Sequence, residues 1–233
     1  MSKVRNVVAD SRAGDRRSLR VIAYETLKQQ IQTLELEPGT VASDVELASR
    51  LGMSRTPVRE AITLLERDFL VTRDPNRGVL IRKLSTDEIM HILNMREALD
   101  GMAARLASKQ MDAAHLDALQ AEFETARQRT GGLQPQHHAE LSRQLHSAIV
   151  SATGNPFLGS TLQTLMGAFE QSRQYSWRTW NHSRQAATIS ERRYEEHLAI
   201  IAAIRSRNPD AAEAAARSHV VNALRDTLNL LMR

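Results

Sequence analysis

The chain has 233 residues, of which 42% are hydrophobic and 25% are charged, and it contains no cysteine. These values suit a soluble protein with one large or two modest domains, and they exclude disulfide bonds and thiolate metal sites. No apolar run approaches the roughly 18 residues of a membrane helix, and the first twenty residues lack the apolar core of a signal peptide. We therefore expect a cytoplasmic protein that does not interact with membranes.

The charge is unevenly distributed along the chain. Residues 1–83 carry 15 Lys and Arg residues against 11 Asp and Glu residues, a net charge of +4, whereas residues 84–233 carry 16 of each. All eight histidines lie in this second, neutral part. Positive charge confined to one region is typical of a surface that binds a polyanion. The distribution predicts a nucleic-acid-binding region followed by a region with a different task.

The N-terminal region predicts a tail and three helices. Residues 1–17 are polar and aperiodic, which predicts a flexible tail. From Leu19 apolar residues recur every three or four positions until Pro38 and Gly39 end the first helix. Gly52 ends a short second helix as a tight turn requires, and Ser54 is a suitable N-cap for the third.

A β-hairpin is predicted directly after the third helix. The segments Leu70–Arg73 and Val79–Arg82 are rich in strand-forming residues, and the sequence Asp74-Pro75-Asn76-Arg77-Gly78 between them is a strong turn signal. Three helices followed by a basic hairpin are typical of a winged helix-turn-helix. We therefore predict such a domain over residues 18–83.

The remaining residues, 84–233, have a purely helical pattern. Ser85 and Glu88 form a capping box that opens a long helix. Further helices are predicted at about 112–130, 136–153, 156–179, 190–207 and 210–231. The predicted fold class is mainly α: a winged helix-turn-helix of three helices and a β-hairpin wing, followed by an all-α helical bundle.

The start of the third helix has the features of a DNA-recognition element. Arg55 and Arg59 are four residues apart and therefore share a helix face, from which guanidinium groups can reach guanine or phosphates in the major groove. Thr56 and the helix N-terminal amides can donate to phosphate. Arg77 and Gly78 lie at the hairpin tip, where the arginine can approach a neighbouring groove. Solvated surface arginines on a small helical module are the alternative, but the ordered combination favours DNA binding.

Three histidines of the C-terminal region have spacings that favour a cluster. His197 lies about ten residues before the Asn208-Pro209 break and His219 about ten after it. At a rise of 1.5 Å per residue, an antiparallel helix pair brings them to similar heights. His146 lies on another helix, eight residues before its own break. The three could hold a metal at distances of about 2.0–2.1 Å, or they could be core histidines bonded to neighbouring groups.

The N-terminal motifs resemble a known family. The run SRTPVREAITLLERDFLV resembles the recognition helix of the GntR family of transcriptional regulators, and LELEPGT and PNRGVLI resemble its connection after the first helix and its wing. The resemblance implies that Arg55, Thr56 and Arg59 contact the operator, with Arg77 and Gly78 in the wing.

The C-terminal pieces MREALDGMAARLAS, LHSAIVSATGNPFL and EEHLAIIAAIRSRNPDAAEAAARSHV resemble the FCD-type sensor domain of the FadR subfamily. Many such domains bind a divalent metal through one aspartate and three histidines, whereas others bind an organic ligand without metal. The resemblance implies that His146, His197 and His219 hold a metal, zinc or nickel by preference. Arg96 and Arg173 are candidates to contact an anionic effector, with ordinary salt bridges as the alternative for both and the preferred interpretation for Arg173.

Two positions depart from the family patterns. Val45 stands where the family often has an arginine in its second helix. Ser142 stands four residues before His146, where the metal-binding pattern has an aspartate. Because serine is a weak, neutral ligand, we expect this site to have one charge fewer and a lower affinity for metal.

The combined features predict a ligand-responsive transcriptional regulator, a repressor by resemblance, that binds a two-fold operator as a homodimer. A small carboxylate-bearing metabolite bound to the helical domain, residues 84–233, would modulate it. Two alternatives are a sensor in which the metal itself is the effector and a metal-dependent hydrolase. The hydrolase is disfavoured because no carboxylate stands as an obvious base beside the histidines. The chain is therefore expected not to be an enzyme.

Overall fold

A computed structural model describes residues 19–74, 77–129, 135–180 and 184–231. The chain divides into two compact units. The first comprises Met1–Leu84 and Met166–Tyr175, and the second comprises Ser85–Leu165 and Ser176–Arg233. The sequence pattern does not predict that Met166–Tyr175 groups with the first unit. The predicted tail, residues 1–17, lies outside the described residues.

The N-terminal part of the first unit is the predicted winged helix-turn-helix. Its elements are α1 (Leu19–Gln32), β1 (Val41–Ala42), α2 (Asp44–Leu51), α3 (Arg55–Arg67), β2 (Val71–Asp74) and β3 (Gly78–Ile81). The three strands form an antiparallel sheet in the order β1-β3-β2. Apolar side chains from all three helices and the sheet form one core, which includes Leu27, Leu51, Ile62 and Ile81.

Local sequence signals define the helix ends. Ser43 and Glu46 form a capping box at the start of α2, and Gly52 ends that helix in the left-handed conformation with φ 64°. Ser54 occupies the N-cap position of α3 as predicted, but its side chain makes no capping hydrogen bond. The turn between α2 and α3 therefore depends mainly on Gly52.

The wing differs slightly from its prediction. Strand β2 pairs with β3 from Val71 opposite Ile81 to Asp74 opposite Gly78. The two-residue strand β1 was not predicted, because only its pairing with β3 makes it a strand. Gly78 has φ 105°, and a Cβ at this position would lie 2.9 Å from the carbonyl oxygen of Ala42. Both the backbone conformation and the close approach of β1 require glycine here.

The second unit is all-helical where it is described. Its helices are α4 (Thr86–Gln110), α5 (Ala113–Arg129), α6 (Pro135–Ala152), part of α7 (Pro156–Trp180), α8 (Arg184–Arg205) and α9 (Pro209–Leu231). The predicted capping box of Ser85 and Glu88 opens α4. Helix α8 begins at Arg184, earlier than the predicted start near residue 190. The sequence of its first turns contains good helix formers, which allow the helix to start there. These turns lack an apolar period, so the periodicity did not predict them.

The packing of the second unit brings four helices together. Helix α9 packs along α4 and α8, and α4 also packs against α6 and α8. The core includes the fully buried side chains of Phe123, Leu145 and Ile200. In the described part of the chain, no helix combines the length and the hydropathy needed to cross a membrane. Each of α4, α6, α8 and α9 contributes polar side chains to the centre of this bundle, as described below.

Candidate functional site

The predicted recognition surface is exposed at the start of α3. Arg55, Thr56 and Arg59 face solvent, and the side chains of both arginines are 61% exposed. Val58 and Ile62 on the opposite face are buried in the domain core. The helix is therefore held by its apolar face and presents its basic N-terminal end, as insertion into a major groove requires.

An acidic residue that the sequence analysis did not single out holds the two arginines. Asp44, in the first turn of α2, places its Oδ2 atom 3.3 Å from Arg55 NH2 and 3.6 Å from Arg59 Nε. One carboxylate therefore orients both guanidinium groups in the free protein. Val45, at the position where the family often has an arginine, is 51% exposed beside it.

The wing is attached to the recognition helix by a second arginine contact. Arg73 of β2 donates to the carbonyl oxygen of Arg59 at 2.8 Å and to Thr63 Oγ1 at 2.7 Å. At the tip, the backbone N–H of Arg77 donates to Asp74 Oδ1 at 3.1 Å and the Arg77 side chain is exposed. The wing that carries Arg77 is thus joined by hydrogen bonds to the helix that carries Arg55 and Arg59.

The three histidines meet in the centre of the second unit. His146 of α6, His197 of α8 and His219 of α9 each offer a ring nitrogen, and these three atoms lie within 4.8 Å of one another. Their ring centroids are 4.5–5.6 Å apart. His197 and His219 are buried, and the side chain of His146 is 14% exposed. The arrangement matches the predicted cluster, whereas its role as a ligand set stays a prediction.

A carboxylate next to His197 in sequence orients His219, so the expectation that no carboxylate stands beside the histidines is wrong. Glu196 Oε2 lies 2.8 Å from His219 Nδ1, and Glu196 Oε1 accepts a hydrogen bond from Asn222 at 2.8 Å. Burial favours a raised pKa for the Glu196 carboxyl, but the bonds from His219 and Asn222 and the charge of Arg192 hold that pKa below its usual value. Because an ionised carboxylate can only accept, His219 donates through Nδ1 and its Nε2 is the nitrogen that faces away from Glu196.

The environment of His146 keeps this imidazole neutral. Burial lowers the pKa of His146 to about 3; Asp100 opposes this shift, whereas His219 and Arg96 add to it. At neutral pH the ring therefore retains a lone pair that a metal or a hydrogen-bond donor can use.

Of the two predicted effector contacts, Arg96 is the one beside the histidines. Arg96 NH2 donates to Asp100 Oδ2 at 2.7 Å, and the same oxygen lies 3.9 Å from His146 Nδ1. Arg96 and Asp100 are both buried. Arg173 belongs to the first unit, where its Nε donates to Glu170 at 2.8 Å. Its role as an effector contact stays a prediction.

The donor set suits a divalent metal of the zinc or nickel type. Three imidazoles are available, and Ser142 Oγ lies 3.3 Å from His197 Nε2, at the position of the missing aspartate. Imidazole is a ligand that zinc and nickel accept readily. The residues present therefore fit such a metal, with the reduced charge that the sequence predicted.

The fold and the site define a class of protein: a DNA-binding regulator with a winged helix-turn-helix and a helical effector-binding domain. Residues 19–81 match the family described as "Bacterial regulatory proteins, gntR family", and residues 91–222 match the FCD domain. The chain therefore belongs to the gntR family of bacterial regulators that carry an FCD domain. It is a transcriptional regulator and not an enzyme.

Several curated relatives that align with most of this chain are transcriptional regulators. An uncharacterized HTH-type transcriptional regulator of Bacillus subtilis, YdhC, is 27% identical over 84% of this chain and 85% of its own. The Nta operon transcriptional regulator of Aminobacter aminovorans is 27% identical over 78% of this chain and 82% of its own. The transcriptional repressor RspR of Escherichia coli is 25% identical over 84% of this chain and 83% of its own.

Solved structures share the fold. McbR/YncC of E. coli superposes with a TM-score of 0.76 at 21% identity, covering 91% of this chain and 98% of its own. A GntR regulator of Rhodococcus sp. superposes with a TM-score of 0.65 at 18% identity, covering 90% and 97%. At these identities the likeness shows a common architecture.

We expect Glu196→Gln to weaken zinc binding about 10- to 100-fold, because the amide no longer fixes the tautomer and orientation of His219. Zinc affinity is measured by competition with a chromophoric chelator. Glu195→Gln is the matched control, since Glu195 is exposed on the same helix and pairs with Arg127. Equal affinities of the two variants would contradict the positioning role of Glu196.

Proposed function

We propose that the protein is a ligand-responsive repressor in the cytoplasm that binds a two-fold operator as a homodimer and is modulated by a small carboxylate metabolite. The observation that supports this most strongly is the cluster of His146, His197 and His219, with Arg96 beside it, inside the effector-binding domain of a DNA-binding regulator. Neutral imidazoles and a buried guanidinium are groups that recognise a metal and an anion. The coupling of this site to the DNA-binding domain is the regulatory function.

The three histidines would hold a divalent metal, zinc or nickel by preference. When bound, the metal supplies a Lewis-acidic centre with open positions for a carboxylate. His219 is oriented by Glu196 and His146 is kept neutral by burial, so both rings can serve as ligands near neutral pH. Arg96 supplies positive charge next to the same centre.

A homodimer is supported by apolar side chains that remain exposed on the helical unit. Met95 and Met102 of α4 are 51% and 45% exposed and lie seven residues apart, which places them on one helix face. Phe157, at the start of α7, is 80% exposed. Two-fold operators are read by two-fold proteins, since each half-site needs its own recognition helix.

The oligomeric state and the operator can be tested together. Selection from a random pool of duplex DNA should yield two inverted copies of one half-site, and light scattering should give the mass of a dimer. Met95→Asp with Met102→Asp should produce a monomer with a much lower operator affinity. A wild-type monomer that binds one half-site with full specificity would exclude the dimeric proposal.

The effector proposal is tested by titrating the protein–operator complex. Acetate, malate and citrate are added to protein loaded with zinc or nickel and to protein treated with a chelator. The proposal expects a carboxylate to change operator affinity and expects metal to strengthen that response. A second candidate function is a metal sensor, supported by the same histidines: in that case metal alone changes operator affinity and no carboxylate adds to it.

A further inference from the structure

A carboxylate from α4 faces the histidine cluster. Asp100 is 6% exposed, and its Oδ2 atom lies 3.9 Å from Nδ1 of His146. It comes from a different helix than Ser142, which stands at the usual aspartate position on α6. The structure therefore brings an acidic group to the cluster from a position that the family pattern does not use.

The distance between Asp100 and His146 bears on two possible roles of Asp100: orienting the His146 ring through a hydrogen bond, or binding a metal directly. Hydrogen bonds between nitrogen and oxygen are about 2.7–3.2 Å long, so 3.9 Å is too long for Asp100 to orient His146 as Glu196 orients His219. Two ligands at about 2.0–2.2 Å from one tetrahedral metal lie about 3.4 Å apart. Asp100 is not among the residues whose ligand atoms already lie within 4.8 Å of one another, so to share a metal with the three histidines its carboxylate would have to move further into the cluster.

The charges point to the same role. A dication held by three neutral imidazoles carries its full charge into a buried site, next to the guanidinium of Arg96. Such a charge is costly to bury without an anionic partner. Ser142 cannot supply one, and the carboxylate of Glu196 is engaged by His219 and Asn222. Asp100 is the remaining carboxylate with a described contact to one of the three histidines.

We propose that Asp100 supplies to a divalent metal at the three histidines the carboxylate that Ser142 cannot provide. This inference rests on the proposed metal-binding role of the cluster. It makes the site a relocated form of a three-histidine, one-carboxylate site, in which the acidic group comes from α4 instead of α6.

The same oxygen of Asp100 accepts the hydrogen bond from Arg96. An ionised carboxylate has two oxygens and about four acceptor sites, so Asp100 can keep this hydrogen bond while it faces a metal.

The test is a cycle of four proteins: wild type, Asp100→Asn, Ser142→Asp and the double variant. Zinc affinity is measured by competition with a chromophoric chelator, and the visible spectrum of bound cobalt reports the ligand set. Because Asp100 is proposed as a direct ligand, Asp100→Asn should weaken zinc binding by more than the 10- to 100-fold typical of outer-shell changes. Ser142→Asp should restore most of this loss in the Asp100→Asn background and should add less to the wild type, because the wild type already has one carboxylate.

Three further variants control the test for helix-surface effects and for folding. Glu97→Gln is the matched control, since Glu97 is on the same helix and pairs with Arg217 on the surface. Because Asp100→Asn leaves Arg96 buried without this partner, the variant can lose stability. In that case Arg96→Met is compared with Arg96→Met combined with Asp100→Asn, where both charges of the pair are removed. The second protein should bind zinc more weakly than the first, again by more than the 10- to 100-fold typical of outer-shell changes.

Two outcomes separate this inference from the proposed function. If the wild type binds zinc and folded Asp100→Asn binds it equally well, Asp100 has no role and the three-histidine proposal stands. If the wild type binds neither zinc nor nickel, both proposals are wrong. A folded Asp100→Asn that loses affinity and is not rescued by Ser142→Asp also overturns the inference, because a carboxylate toward the metal is then not what was lost.

Discussion

Replacing Arg55 or Arg59 with alanine is expected to weaken operator binding by about 1–3 kcal/mol, which is about 5- to 150-fold, if each contacts a base. Both side chains are exposed at the end of α3 that would enter the major groove. A base contact should also relax the sequence preference at one position of each half-site. A phosphate contact should instead lower affinity for all sequences and reduce the salt dependence by about one counterion.

The measurement is operator affinity at several fixed salt concentrations, with variant half-sites for comparison. Arg67→Ala is the matched control, because Arg67 lies at the opposite end of α3 and its side chain is 76% exposed. It should bind nearly as the wild type does. If Arg55→Ala and Arg59→Ala both keep wild-type affinity, the assignment of α3 as the recognition helix is wrong.

Replacing His197 with alanine is expected to abolish zinc binding in the micromolar range while operator binding without effector is kept. His197 is fully buried, lies 4.5 Å from His219 between ring centroids, and packs against Phe123 at 5.4 Å. Removing a direct ligand should cost more than the 10- to 100-fold typical of outer-shell changes. The response of the protein–operator complex to carboxylates should fall to that of the metal-free wild type.

His115→Gln serves as the control, since His115 is exposed on α5. It should bind zinc and respond to carboxylates as the wild type does. Melting temperatures of the metal-free proteins distinguish a lost ligand from a lost fold. Zinc affinity in a folded His197→Ala equal to that of the wild type would show that the cluster is a core feature and not a metal site.

The parts of the structure that follow from local periodicity could be predicted from sequence. The helices of both units, the left-handed turn at Gly52 and the capping boxes at Ser43 and Ser85 are encoded within a few residues. The short strand β1 could not be predicted, because Val41 and Ala42 become a strand only through pairing with β3. The early start of α8 was missed since its first turns lack an apolar period.

The candidate site also has features that the local sequence predicts and features that it does not. The meeting of His197 and His219 follows from their equal distances to the break at Asn208-Pro209, so simple helix geometry was sufficient. Asp100 and Asp44 were missed because the histidine that Asp100 faces and the arginines that Asp44 contacts lie on other helices. One signal was available: Asp100 follows Arg96 by four residues on one helix, a spacing typical of an ion pair. Which histidine it faces depends on how α4 packs against α6, which no local pattern encodes.

If Arg55 and Arg59 contact DNA as proposed, their pairing with Asp44 is expected to affect how the protein searches a genome. On any stretch of DNA, phosphates must compete with this carboxylate for the two guanidiniums, so contacts with random sequence gain less free energy. Weaker attachment to random sequence shortens each stay on the wrong site and leaves more protein free to test others. At the operator, bidentate bonds to bases can offset the loss of the ion pairs. Asp44 thus favours discrimination between sites over tight binding to DNA in general.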